Sequence, residues 1–138
     1  MALMVLTAAN AGSIHEMEQA INRISRLLQQ ANIVRSESTL PIKVGAVLVR
    51  GRRIIKEACN TDGSFRFLPI WSRHAEVNAT LNINATGTTI YIYRSHGTYY
   101  SPMLACPCNY CREWLHFVGV KEAIYTIPEY PFYQRIDI

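Results

Sequence analysis

Arg73-His74-Ala75-Glu76-Val77-Asn78-Ala79, read together with Pro107-Cys108-Asn109-Tyr110-Cys111, decides the reading of this 138-residue chain. One histidine and two cysteines offer three ligands to a single zinc ion, and a fourth position stays open for water, as catalytic zinc sites keep it. Glu76 follows His74 by two residues, close enough to move protons for that water without ligating the metal. His-Ala-Glu alone is an ordinary tripeptide in any helix. Its conjunction with Pro-Cys-x-x-Cys, with strands between the two, fits one geometry.

Around the first motif, Ser72 can cap a helix over about residues 73–83, which puts His74 and Glu76 in its first turn. Around the second, Pro107 suits a helix start, and residues 108–118 read as a helix ended by Gly119. Both cysteines then sit in a first turn, where free amides and the helix dipole favour thiolate. Between the motifs, Gly87 breaks the first helix and residues 88–93 (TTIYIY) form the clearest strand. A linker of about a dozen residues follows, in which His96, Tyr99 and Tyr100 either shape a pocket mouth or cover the surface. Residues 122–127 (EAIYTI) read as the next strand, parallel to 88–93 by the crossover rule. The tail, 128–138, packs on the body or lines the pocket.

Upstream, Ser13 and Glu16 read as a capping box. Apolar residues at Met17, Ile21, Ile24, Leu28 and Ala31 mark one face of a helix over about 14–31. Residues 42–49 (IKVGAVLV) read as a strand buried on both faces, and 53–60 (RIIKEACN) as its hairpin partner across Gly51-Arg52. Gly45 implies a close approach, by a helix or by a ligand. The loop 61–72 sets Phe65, Phe67 and Trp71 beside Arg66 and Arg73. These side chains either stack on a base and hold a phosphate, or form the loop's own apolar cluster. The expected architecture is an α/β three-layer sandwich, a mixed sheet of about four or five strands with helices on both faces. One domain spans 1–138, with its core over about 42–127.

Composition bounds the partners. Fourteen Lys and Arg against ten Asp and Glu give a net charge of +4, which suits an anionic substrate such as a nucleotide. It is not the dense basic stripe of a duplex binder. Of the four cysteines, Cys59 and Cys106 make no disulfide framework, which points to a reducing, cytoplasmic setting. Cys59 reads as a core residue, and Cys106 stands outside the ligand set despite lying two before Cys108. The apolar start has no positive n-region, and no run approaches the ~20 apolar residues of a membrane span.

His-x-Glu followed by Pro-Cys-x-x-Cys is the signature of zinc-dependent nucleobase deaminases. Over residues of about 42–127 the chain resembles the cytidine/deoxycytidylate deaminase superfamily. The resemblance implies Zn²⁺ on His74, Cys108 and Cys111, with Glu76 shuttling protons between water, ring nitrogen and departing ammonia. It implies a sugar contact at Asn60 and backbone amides of Ala75 and Cys108 near the base; Phe65, Trp71, Arg73 and Pro107 complete the candidate substrate contacts. Free-nucleoside cytidine deaminases carry cysteine where this chain has His74, so it is more similar to the deoxycytidylate, tRNA-adenosine, guanine and APOBEC/AID-like branches. His-Ala-Glu-Val-Asn-Ala is most similar to deoxycytidylate deaminases, and Val44-Gly-Ala-Val-Leu-Val49 to tRNA adenosine deaminases. The linker before Pro107 is longer than in typical deoxycytidylate deaminases, Ala-Cys precedes Pro-Cys, and no long C-terminal helix follows.

The expected activity is hydrolytic conversion of cytosine to uracil on a small nucleotide such as dCMP, with Arg66, Arg73 or Arg94 on the phosphate. The alternative substrate is cytosine in single-stranded DNA or RNA. Adenine or guanine deamination stands further off, as does a structural zinc module, against which Glu76 argues. Self-association is an expectation of the resemblance, with the first helix or Trp114 and Phe117 at the interface.

Overall fold

Residues 44–49 are apolar on both sides of the pleat, and they lie in a strand flanked by partners on both edges. In the computed structural model, which describes residues 11–70, 72–96 and 102–138, β1 (Ile42–Arg50) pairs antiparallel with both β2 (Arg53–Cys59) and β3 (Thr89–His96). β3 runs parallel to β4 (Glu122–Thr126), and β4 antiparallel to β5 (Tyr133–Asp137), for a sheet order of β2-β1-β3-β4-β5. The helices are α1 (Ala11–Arg35), α2 (Ala75–Thr80) and α3 (Asn109–Phe117).

Alternation along the strands divides the core in two. Val47, Val49, Tyr91, Tyr93 and Ile124 face one way and bury against Ile24, Leu27, Leu28 and Ala31 of α1. Ala46, Leu48, Ile90, Ile92, Ala123 and Tyr125 face the other way, against Ala75 and Ala79 of α2 and Leu115 of α3. Helices therefore cover both faces of a mixed five-stranded sheet, and the architecture is the three-layer one that the pattern implied. Gly45 serves the helix: a Cβ there would lie 1.9 Å from the Ala31 carbonyl oxygen and 2.7 Å from the Arg35 amide nitrogen.

Several boundaries differ from the sequence reading. α1 already includes Ala11 and continues to Arg35, so Ser13 lies inside the helix and is not its N-cap. α2 starts only at Ala75, with His74 as an extended N-cap residue in place of Ser72. It stops at Thr80 because Leu81 is extended and Asn82 takes a positive φ of 58°. α3 has Cys108 as its N-cap, so only Cys111 occupies the first turn. β3 runs three residues further than the 88–93 reading, to His96. The tail packs on the body, the first of its two readings, and does so as β5, whose Ile136 packs on the core while Arg135 pairs with Glu122 at 3.4 Å. Cys59 is half-buried at the end of β2. Trp71, Tyr99, Tyr100 and the side chain of His96 lie outside the described residues. No helix among the described residues is long and apolar enough to cross a membrane.

Candidate active site

Six residues make too short a helix to stand alone, and α2 is held at each end. Asn78 donates from its amide nitrogen to the His74 carbonyl (3.1 Å), and from Nδ2 to the Cys59 carbonyl (2.9 Å) and Thr61 Oγ1 (3.0 Å). Paired backbone bonds between Thr61 and Arg73, at 3.0 and 2.9 Å, fasten the entry to α2 beside β2. At the far end, Thr80 Oγ1 donates to the Glu76 carbonyl at 3.0 Å and accepts from Trp114 Nε1 of α3 at 2.9 Å. The segment before α3 is tied to the sheet by Met103 N to the Arg94 carbonyl (2.8 Å) and Ala105 N to the Thr126 carbonyl (2.9 Å).

These restraints bring the two motifs together. His74 Nδ1 lies 3.1 Å from Cys111 Sγ and 3.9 Å from Cys108 Sγ, and the three donor atoms lie within 4.8 Å of one another. Cys108 Sγ also accepts from the Cys111 amide at 3.5 Å. Burial first, and then Glu76 and Cys108, push the Cys111 thiol far above its usual range. Glu76 is buried, and burial raises its carboxyl as well, against the opposing pull of its own backbone amide, His74 and Cys111. Two would-be anions thus stand side by side out of water, a costly arrangement that a divalent cation reverses. One imidazole and two thiols are the donor set zinc takes, and the set fits the metal.

His74, Glu76 and Cys108 open on one cavity of about 490 Å³, walled by apolar Leu40, Pro41, Ile42, Val44, Leu104 and Ala105. The volume is in the range of small-ligand pockets.

A family model of the cytidine and deoxycytidylate deaminase zinc-binding region matches residues 17–127. The chain belongs to this family. No curated protein matches its sequence. Among solved structures, it is similar to the dCMP deaminase of cyanophage S-TIM5 in apo form, at 22% identity and a TM-score of 0.56 over 75% of this chain and 82% of that one. The cytidine deaminase of Burkholderia pseudomallei is similar at 19% identity and a TM-score of 0.58, over 82% and 91%. That of Mycobacterium leprae is similar at 20% identity and a TM-score of 0.53, over 80% and 91%. These likenesses are ones of fold, the cytidine-deaminase-like sandwich.

The zinc-binding region of this deaminase-family chain includes both motifs, and His74, Cys108 and Cys111 are its metal-competent cluster among the described residues. Cys106 lines the cavity but stands outside that cluster. Asn60 and Ala75 line the cavity too. Asn60 spends its amide on β1, accepting from Val44 N at 2.9 Å and donating to the Ile42 carbonyl at 2.7 Å. Phe65, Arg73 and Pro107 are not among the lining residues. Phe65 is buried with Ile70, Val77 and Cys111, edge-on to Trp114 at 4.9 Å, so the aromatic loop forms its own cluster and backs the metal thiol. Arg73 turns away, its Nη2 3.4 Å from the Ser64 carbonyl, and Pro107, which precedes Cys108 in the chain, is buried. Sequence reading missed Leu40, Pro41, Ser72 and Leu104 as wall residues, and nothing in their residue types marks them.

Proposed function

We propose that this deaminase-family chain is a zinc-dependent hydrolase that converts the cytosine base of a small nucleotide, such as dCMP, to uracil. The observation that carries the proposal is the buried carboxyl of Glu76 beside the His74–Cys108–Cys111 cluster, on a largely apolar cavity of small-ligand size. The substrates named for the similar structures, dCMP and cytidine, share the cytosine base, which supports the same reaction here.

His74, Cys108 and Cys111 would hold the zinc. When bound, zinc supplies the Lewis acidity that makes water a nucleophile near neutral pH. Glu76 takes a proton from the attacking water and places it on N3 of the ring as the water's oxygen bonds to C4. The carboxylate then moves the second proton to the exocyclic amine, and the C4–N bond breaks to release ammonia. Water enters, ammonia leaves, and the water's oxygen becomes the new C4 carbonyl. Burial of Glu76 among apolar walls brings its proton affinity closer to that of the groups it serves, as general acid–base chemistry requires. The Ala75 amide and the Asn60-braced end of β1 form the surface on which the base and sugar would rest.

A polynucleotide substrate would draw on exposed Phe67, over whose ring Arg66 sits at 4.6 Å. Those side chains lie outside the cavity lining. The exposed ring of Phe117, beside Trp114 at 5.8 Å, is the surface to which self-association is assigned. The deciding assay offers cytidine, dCMP, dCTP and a cytosine-containing single-stranded oligonucleotide to zinc-loaded protein, with Glu76→Ala as control. Uracil from a mononucleotide, absent with the control, is the expected result. Product from the oligonucleotide alone would replace this substrate, and none from any of the four would remove cytosine chemistry.

A further inference from the structure

Among the described residues, Arg94 is the one lysine or arginine that lines the catalytic cavity. It lies on β3 opposite Val44 of β1. Its backbone is held on both sides: the amide donates to Thr126 Oγ1 at 3.2 Å, and the carbonyl accepts from Met103 N at 2.8 Å. The half-buried side chain has one tether, Nη1 to the Leu104 carbonyl at 3.3 Å. Its Nε is buried and has no hydrogen-bond partner among the described residues. Nor does any described carboxylate pair with it, and among the described residues Glu76 is the only carboxylate on the cavity wall.

A guanidinium offers five N–H donors in a planar fork. Among the described residues, one is tied to a neutral carbonyl, one is buried and unspent, and no carboxylate compensates the charge. Buried donors in native proteins are satisfied, so an unspent one beside a cavity points to an acceptor that arrives with the ligand. The fork matches the oxygens of a phosphate. Arg73 also has a buried Nε without a partner, but it does not line the cavity, and Arg66 is spent over Phe67. Of the three arginines that the sequence offers for a phosphate, only Arg94 meets the substrate space. A triphosphate would ask for further cations that the described lining residues do not supply.

We infer that Arg94 is the specificity-determining residue of this cavity, binding the phosphate monoester of a nucleoside 5′-monophosphate and so selecting it over the unphosphorylated nucleoside. The inference rests on the deaminase reading above. It is tested by the ratio of kcat/KM for dCMP to that for deoxycytidine, in wild type, Arg94→Met and Arg94→Lys. A ratio is internal to each variant, so a general loss of folding moves both substrates and leaves it unchanged. The wild type is expected to favour dCMP, and Arg94→Met to lower the preference about 10- to 150-fold, through KM for dCMP. Arg94→Lys restores part of it, as a point charge without the fork. A wild type that treats the two alike, or prefers dCTP or a cytosine oligonucleotide to dCMP, overturns the inference; so does a preference that survives in Arg94→Met. If the wild type turns over neither substrate, the deaminase reading falls by itself. Calorimetric binding then decides Arg94 separately: dCMP held more tightly than deoxycytidine by wild type but not by Arg94→Met sustains it, and any other pattern overturns it.

Discussion

Glu76→Gln keeps the shape and hydrogen-bonding reach of the side chain but cannot carry a proton. If Glu76 shuttles protons without ligating the metal, kcat falls about 10²- to 10⁴-fold while the protein still binds one zinc per chain. Metal content by atomic emission, measured on the preparation used for kinetics, checks both halves; loss of zinc in the variant would make Glu76 a ligand instead. Cys111→Ser should do the reverse and lose the metal, because Cys111 Sγ lies 3.1 Å from His74 Nδ1 in the donor cluster. These four side chains are legible in the sequence because their chemistry depends on residue type and on spacings of two or three along the chain. Phe65 was not legible in the same way. An aromatic beside an arginine has the same composition whether it stacks on a base or on Trp114, and here the partner that decides comes from another helix.

At the scale of elements, the site depends on how α2 is clamped against α3 and the sheet. Trp114→Phe keeps the ring against Phe65 and removes only the N–H that Thr80 Oγ1 accepts. The expected cost is about 1 kcal/mol of stability and an approximately tenfold fall in zinc affinity, read by competition with a chromogenic chelator. Unchanged affinity would reduce the indole to packing. On the other face, Gly45→Ala sets a methyl against backbone atoms of Ala31 and Arg35 that no rotamer change relieves. Overpacking of this kind costs about 1–3 kcal/mol or more, and thermal unfolding should show it without any change in zinc stoichiometry. β1 and β3 were legible from their apolar, β-branched runs. β5 was not, because Tyr133–Asp137 is an edge strand with one well-packed core residue, Ile136, and takes its register from β4. The end of α2 was also out of reach, since it is set by the left-handed backbone at Asn82.

The whole molecule bears on how substrate charge is read. The family resemblance and the three-layer fold could be inferred from the sequence, but the cavity could not. Its wall combines residues near 40–44 with 104–106, which meet only because Met103 and Ala105 bond to the ends of β3 and β4. A net charge of +4 is spread over the surface, whereas one cation, Arg94, lines the cavity among the described residues. Each phosphate neutralised on a single strand contributes about −0.7 to the slope of log affinity against log salt. A dCMP-sized ligand condenses no counterions and meets one guanidinium, so its log kcat/KM should fall only shallowly between roughly 50 and 200 mM salt, through ordinary screening. A strand tracked by Arg66, Arg73 and neighbouring cations would give about −2 or steeper. The measurement needs the zinc-loaded protein, dCMP, a cytosine-containing single-stranded oligonucleotide and a salt titration of each at fixed pH. A steep slope would move the substrate out of the cavity and onto the aromatic–arginine surface, and the mononucleotide reading would then fail.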